Sequence, residues 1–506
     1  MRRARASTIS VYLSLFAGAC GSSQEGTPSP AGTCTVSSTP DPDSGVVNGS
    51  AQLVTSAQNA YWQPATWTEV PDGKADVTIN DCTELQTWEG FGGTFNELGW
   101  SYLSTPALQD EAMQLLFSEE DCRFSWGRIP MGANDYAMDR YTLDDTGGDV
   151  PPDSSESNRP PADPLLGRFS IERDNQKLIP YIKAAQAMKP DLRFWASPWT
   201  PPPWMKSGYR TTAILPSYFD GGAIKGDDAT LRPYSKYFVK FVQAYQALGI
   251  NIEVVAPQNE PNYDTNYPSC QWDRTKYIAF IKLLGPALMS AGLNTKVMLG
   301  TMSNADSGKD LDIANGVLGD IYATGNLGLI GVQWGMLDKV ASVKSTKLPI
   351  WVTEHRCGNY PWQSNYQPIA PNDHAYAKES WDEIKKALHG KVTAYNAWNM
   401  VLDKAGKGID TSRDWAQNAL LVVDEGQIIK TPAYYVFRHF SQYVAPGAKV
   451  LATSGGDAFG FKNLDGSVVA VLYAPATKSN YVVRIAGKNL QFSMPAEGWA
   501  TIKFWP

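Results

Sequence analysis

A chain of 506 residues with 43% hydrophobic and 19% charged residues has enough apolar mass for one large domain and a smaller partner, which excludes a disordered or coiled-coil protein. A formal net charge of −7 argues against a nucleic-acid partner, which needs a basic face. The 17 Trp and 24 Tyr offer flat apolar faces on which sugar rings stack, although a large barrel also buries many such rings in its core.

Arg2, Arg3 and Arg5, the apolar run 9–19 and the small residues Ala17-Gly18-Ala19 ahead of Cys20 read as an export signal over 1–20. The run is too short to cross a bilayer. A Cys placed directly after small residues resembles a bacterial lipoprotein signal, with Ala17 where a branched apolar residue is usual. Lipidation of Cys20 and simple cleavage are the two alternatives. The first predicts an exported protein anchored by lipid at the cell envelope, the second a secreted one. Residues 21–47, rich in Ser, Thr, Pro, Gly and Asp, read as a flexible linker. Segments 48–85 and 433–506 carry short alternating strands such as 75–79, 468–473 and 481–485, with turns at Gly455-Gly456-Asp457 and Asp465-Gly466. The two segments are expected to fold together as a side β-sandwich.

Between them, over 86–432, apolar runs at 89–94, 124–130, 193–197, 254–258, 297–301, 329–333, 350–353 and 393–398 alternate with longer stretches. Helical periodicity is clear at 171–188, 234–248, 274–290 and 374–388. Repeated β–α units of this kind predict an α/β fold with a closed (β/α)8 (TIM) barrel. Residues 136–168 and 208–232 fall after strands, where a barrel builds its catalytic face. They read as loops shaping a substrate groove or, over 144–163, as unstructured insertion.

Hydrolysis of a glycosidic bond uses two carboxyl groups: one protonates the leaving oxygen, the other attacks the sugar carbon or activates water. Glu260 closes the run Val254-Val255-Ala256-Pro257-Gln258-Asn259, and Glu354 closes Pro349-Ile350-Trp351-Val352-Thr353. A single Glu is ordinarily a solvated surface residue. Two that each end a buried strand point to the catalytic face of a barrel. Asn259, beside Glu260, supplies an amide for a hydroxyl next to the reacting carbon.

The segments Gly90-Phe91-Gly92-Gly93-Thr94-Phe95-Asn96-Glu97, Arg128-Ile129-Pro130-Met131-Gly132-Ala133-Asn134-Asp135-Tyr136, Ser197-Pro198-Trp199-Thr200-Pro201-Pro202-Pro203-Trp204-Met205-Lys206, Pro257-Gln258-Asn259-Glu260-Pro261 and Trp351-Val352-Thr353-Glu354 occur in the order found in family 30 glycoside hydrolases. The chain resembles that family, which includes glucosylceramidases and β-1,6-glucanases. A side sandwich built from both chain ends is also the family's design. The resemblance implies a retaining β-glycosidase with Glu260 as acid/base and Glu354 as nucleophile. It further implies a sugar subsite lined by Arg128, Asp135, Trp199, Asn259 and Trp398. Arg128 reads equally as a structural ion-pair partner, and Trp398 as a core residue. After the sixth strand, glucosylceramidase-like members carry His-Trp-Tyr, whereas this chain has Gln333-Trp334-Gly335. Trp334 stays a subsite candidate, but the missing Tyr points away from a glycolipid, toward fucosides, galactans or glucans.

The expected partner is therefore a β-linked oligosaccharide, polysaccharide or glycoconjugate, with no cofactor and no metal. Only four His are present, none paired at ligand spacing, and a G-x-S-x-G elbow is absent. A non-catalytic carbohydrate-binding surface lipoprotein is the alternative from another class; it would keep the aromatics without needing both glutamates. A glucosylceramidase acting on a glycolipid is the alternative substrate reading. If Cys20 carries lipid, Cys34 is the odd thiol of the remaining set. Cys82–Cys122, ahead of the first two barrel strands, and Cys270–Cys357, in the loops after the two glutamate-bearing strands, are then expected to pair.

Overall fold

The computed structural model describes residues 49–146, 156–210, 217–304, 308–343 and 347–506. The expected export signal, Cys20 and the linker over 21–47 lie outside the described residues, as do 147–155 and 211–216 of the two long loops.

Eight parallel strands close into a barrel: β1 Gly90–Thr94, β2 Trp126–Pro130, β3 Arg193–Ser197, β4 Ile252–Val255, β5 Lys296–Met302, β6 Leu327–Gln333, β7 Ile350–Glu354 and β8 Ala394–Asn399, with β8 pairing back on β1. All eight overlap the apolar runs of the sequence, the fourth only at Val254 and Val255. Inside the barrel, Trp126, Trp195, Val254, Met298, Leu329, Trp351 and Ala394 form one cluster, the filled interior that makes such a barrel a floor and not a pore. The glycines of β1 make room for that filling. A Cβ on Gly92 would sit 2.3 Å from the Trp126 carbonyl oxygen and 2.8 Å from Asn396 Oδ1.

Helix boundaries depart from the periodicity where proline intervenes. The helix expected from residue 171 begins at Leu178 and runs to Met188. Pro180 has no N–H to donate and lies in the first turn, where no intrahelical N–H bond is required. The helix expected from 234 instead starts upstream, as Asp228–Ala247, and carries Pro233 within it. Parts of the long loops are anchored by buried or part-buried hydrogen bonds. Trp204 Nε1 donates to the buried Asp144 at 2.8 Å, and Arg159 donates to the Pro203 carbonyl.

The flanking segments form ten hydrogen-bonded strands in a single mixed sheet, not two separate sheets. Strand Ser50–Ala57 pairs antiparallel with Gly498–Trp505, joining the two ends of the described chain. The sheet curls so that Leu53, Leu472 and Ile502 pack with Val483, Leu490 and Phe492 in a core of its own. On its other face Phe459 and Tyr473 meet Trp381 of helix His374–His389, and Phe461 meets Phe440 of helix Pro432–Ser441. His439 is fully buried at this seam, bonded to Thr501 and Ser56 at 2.8 Å each. Burial drives its pKa down to about 3, so the imidazole is neutral there.

The expected disulfides do not form. Cys122, Cys270 and Cys357 are buried free thiols. Cys82 is disulfide-bonded, to none of these three. The reason is placement. Cys82 is exposed on strand Val77–Thr87 of the side sheet, whereas Cys122 is sealed against the Tyr434 carbonyl, 3.8 Å away. Cys357 belongs to an aromatic cluster with Tyr136, Trp199 and Trp398. Placement near strand ends that meet in the barrel does not by itself bring two flanking residues to the roughly 4.4–6.8 Å Cα spacing a bridge needs.

Candidate active site

β4 stops pairing at Val255, three residues short of the expected end, because Pro257 cannot donate to a ladder. The chain keeps bonding to its neighbours nonetheless: Ala256 N–H donates to Ala196 O at 2.9 Å, Asn259 to Pro198 O at 2.7 Å and Glu260 to Thr301 O at 3.1 Å. Glu260 then takes a φ of 48°, a left-handed conformation that a non-glycine residue holds only where its surroundings enforce it. Glu354 arrives by a plainer route as the last residue of β7, in register with Gln333 of β6. Trp334, next after Gln333, also has a positive φ of 49°.

The two carboxyl groups are almost fully buried, Glu260 at 8% and Glu354 at 6% exposure. Their surroundings differ. Glu354 Oε2 accepts from Arg128 Nη1 at 2.6 Å, and Oε1 accepts from Trp334 Nε1 at 2.8 Å. One is a charge-assisted bond within a buried ion pair, the other a direct indole donor. Among the described residues, Glu260 has neutral, longer side-chain contacts: Gln333 Nε2 to Oε1 at 3.4 Å and the Tyr267 hydroxyl to Oε2 at 3.2 Å. Burial, the Glu354 charge and the Asp135 charge together push the Glu260 pKa up to about 8.

Arg128, on β2, ties the floor together. Its Nη2 donates to Asn259 Oδ1 at 2.6 Å, and Nε and Nη2 reach Ser197 Oγ at 3.3 and 3.2 Å. Its guanidinium lies 4.3 Å from the Trp199 ring centroid and 4.9 Å from that of Trp195. Trp199 stacks on Trp398 at 5.6 Å, and Trp398 Nε1 donates to Gln417 at 3.0 Å. Thr301 also donates to Asn259 Oδ1, at 2.9 Å. The Asn259 oxygen is thus fully engaged by the protein, which leaves its Nδ2 as the group able to donate to a ligand.

Asp135 stands in a small cleft with Arg413, Trp415 and Gln417. Its Oδ1 finds no hydrogen-bond partner among the described residues. Burial, then the Glu354 charge, raises its pKa to about 7. The structure therefore brings together Glu260, Glu354, Arg128, Asn259, Trp199, Trp334 and Trp398, and sets Asp135 at the edge of the group. Ser197, Gln333 and Thr353 were not assigned a role from the sequence, although Ser197 and Gln333 end barrel strands and Thr353 lies one residue before the end of β7. Tyr267, Arg413, Trp415 and Gln417 come from loops and carry no periodicity that marks them. Among the described residues, no group of three or more His, Cys, Asp or Glu is arranged to hold a metal ion. Chemically, the arrangement offers one carboxyl inclined to keep its proton and one held by donors, over a floor of stacked rings and an orienting amide.

Residues 88–444 match the glycosyl hydrolase family 30 TIM-barrel domain. The chain is 26% identical to the lysosomal acid glucosylceramidase of Mus musculus over 78% of its length and 76% of the relative's. It is 25% identical to an endo-1,6-β-D-glucanase of Aspergillus fumigatus over 75% of each chain. A solved endo-β1,6-glucanase shares the fold at a TM-score of 0.75 and 22% identity, covering 91% of this chain and all of that one. The chain belongs to glycosyl hydrolase family 30 and is a glycosyl hydrolase.

Proposed function

We propose that the chain hydrolyses a β-linked glucan with net retention, Glu354 attacking the anomeric carbon and Glu260 serving as acid and then base. One observation carries this reading: the unequal treatment of the two carboxyls. Glu354 is oriented by Arg128 at 2.6 Å and Trp334 at 2.8 Å. Glu260 has weak neutral contacts and a raised pKa. Two carboxyls whose environments are pushed apart in this way divide into an acid and a nucleophile. In this scheme Arg128 orients Glu354, and Asn259 Nδ2 donates to the hydroxyl beside the reacting carbon. Trp199 and Trp398 support the sugar from below, Trp334 walls it beside Glu354, and Asp135 accepts from a further hydroxyl with its open oxygen.

Both a glucosylceramidase and endo-1,6-β-glucanases are among the relatives. Gly335, in place of the Tyr implied by the glucosylceramidase pattern, favours the glucan over the glycolipid. The Arg-rich start and Cys20 support the further proposal that the enzyme is exported and held at the cell envelope by lipid.

Retention calls for carboxyl carbons about 5–5.5 Å apart; inversion needs about 6.5–9.5 Å to admit a water. Proton NMR of the first minutes of β-1,6-glucan hydrolysis is expected to show the β-hemiacetal forming first, with the α-anomer growing only by mutarotation. An α-anomer formed first sinks the retaining mechanism.

The pH profile has a definite sign. Glu260 must be protonated to act as an acid. Its raised pKa keeps the proton on through neutrality and releases it as pH climbs past about 8. Asp135, raised to about 7 by burial and then by the Glu354 charge, loses its proton on the same side of neutrality. The kcat/KM on glucan is expected to hold through pH 6 and fall on the alkaline side. A decline already complete between pH 4 and 5, the ordinary carboxylate range, contradicts the assignment.

A further inference from the structure

All 17 Trp of the chain lie in described segments, and one of them, Trp362, is exposed, at 64%. Large aromatic rings are costly to leave in water and usually keep at least part of their surface covered. Trp362 is moreover held in position. Its ring stacks on Tyr360 at 5.1 Å and 28°, and meets Trp415 edge-on at 5.1 Å and 71°. Tyr360 is itself buried, with its hydroxyl donated to Glu379. The turn bearing Trp362 is closed at its base by Asn359. Its Nδ2 donates to Gln367 O at 2.9 Å and Ala416 O at 2.6 Å, while its Oδ1 accepts from Gln367 N–H at 2.9 Å. Within the turn, Gln363 N–H donates to Tyr360 O and Tyr366 N–H to Gln363 O. The ring is thus exposed because a braced turn presents it, and not because its segment is unanchored.

The ring also continues the active-site wall. Trp415 lies 5.9 Å from Trp334, and Tyr360 lies 6.2 Å from it. Trp334 is the residue that donates to Glu354. Toward the other carboxyl, Arg413 spans Trp415 at 4.8 Å and Tyr267 at 5.4 Å, and Tyr267 reaches Glu260. A wall of rings therefore runs from Trp334 beside Glu354 to Trp362, and the Arg413 guanidinium links it to Tyr267 beside Glu260.

We infer that Trp362 is the platform of an additional sugar subsite outside the one being cleaved, binding a second unit of the same glucan chain. The inference rests on the glucan reading above and deepens it: the substrate class is a polymer and not a single glycoside. One face of the indole is taken by Tyr360, which leaves the opposite face for a pyranose whose axial C–H groups stack on it. The other exposed side chains of the turn, Gln363, Ser364, Asn365 and Gln367, are polar donors and acceptors suited to hydroxyl groups.

The test compares wild type, Trp362→Ala and Trp362→Phe on polymeric β-1,6-glucan, p-nitrophenyl β-glucoside and glucosylceramide in detergent micelles. Trp362→Ala is expected to lose about tenfold in kcat/KM on the glucan, the scale of one lost aromatic stack. On the nitrophenyl glucoside the change is expected to stay within about twofold, as for an ordinary surface substitution. Trp362→Phe is expected to recover most of the glucan activity. An equal loss on glucan and nitrophenyl glucoside, with a lowered Tm, assigns the ring a merely structural role and overturns the subsite. So does an unchanged kcat/KM on glucan, and so does a loss confined to glucosylceramide. Failure of the underlying glucan reading is separately visible, because the wild-type enzyme then leaves β-1,6-glucan intact before any variant is made.

Discussion

Glu354→Gln is expected to lower kcat by at least about 10⁴-fold on every substrate, activated aryl glycosides included, because an amide oxygen is a poor nucleophile. The substitution is nearly isosteric, so Trp334 keeps an acceptor 2.8 Å from its indole N–H. The cost falls on Arg128, which is fully buried and loses its charge partner. Breaking a buried pair on one side typically destabilises by about 3–5 kcal/mol. Part of that is offset here because Asn259 and Ser197 still accept from the guanidinium. Tm is therefore expected to fall while the variant stays folded at assay temperature, and circular dichroism checks this. A second measurement separates lost chemistry from lost structure. A 2-deoxy-2-fluoro-β-glucoside with a good leaving group should trap the wild-type glycosyl-enzyme, and mass spectrometry should find the label on the peptide containing Glu354. A folded variant retaining more than about 1% of wild-type kcat, or a label carried by Glu260, contradicts Glu354 as nucleophile.

Glu260 and Glu354 are readable in the sequence because each ends an apolar run, and such runs become barrel strands whose C-terminal ends meet on one face. The same rule reaches Ser197, Gln333 and Thr353, which end β3, β6 and come one residue before the end of β7. They look ordinary as residue types and become significant only through Arg128, Asn259 and Glu260, which they contact. Tyr267, Arg413 and Trp415 are of another kind. They sit in irregular loops, where position depends on tertiary contacts such as Trp415 Nε1 donating to Gly358 O, and no local pattern encodes those contacts. Pro180 and Pro233 displaced helix starts in opposite directions, because the apolar period does not register which turn a proline will occupy. Alternation in the flanks disclosed strands but not their pairing. Whether ten strands make two sheets or one curled sheet depends on the long strand Val77–Thr87. It pairs with Lys449–Ser454 along most of its length and with Lys478–Ile485 near its start. The cysteines failed for a similar reason: knowing which strand ends they flank is a poor guide to the Cα distance a disulfide requires.

Glu260→Ala is expected to divide the reaction in two. On glucan, whose leaving alcohol needs a proton, kcat/KM should fall by roughly 10²–10⁴-fold, the usual worth of a positioned acid. On a dinitrophenyl β-glucoside the leaving group departs without protonation, so Glu354 can still attack. The second step then lacks its base, the glycosyl-enzyme accumulates, and a burst of dinitrophenolate equal to the enzyme concentration should precede slow turnover. Structural damage is expected to be small, since the contacts given up are the long bonds from Gln333 at 3.4 Å and Tyr267 at 3.2 Å. Removing the carboxyl also removes a buried acid whose raised pKa marks its ionised form as unfavourable in the folded state. The sign follows from linkage: that group withholds stability as pH rises from its unfolded value toward about 8. The variant should therefore lose less Tm than wild type between pH 5 and 8. Azide is a nucleophile that needs no base and fits the space the side chain vacates. It should restore turnover on the dinitrophenyl substrate and yield a glucosyl azide. The configuration of that azide decides the roles. Attack on a glycosyl-enzyme held by Glu354 is a second inversion and gives the β-azide. If Glu260 were the nucleophile, azide would replace it directly in a single inversion and give the α-azide, and the two glutamates would have to exchange places.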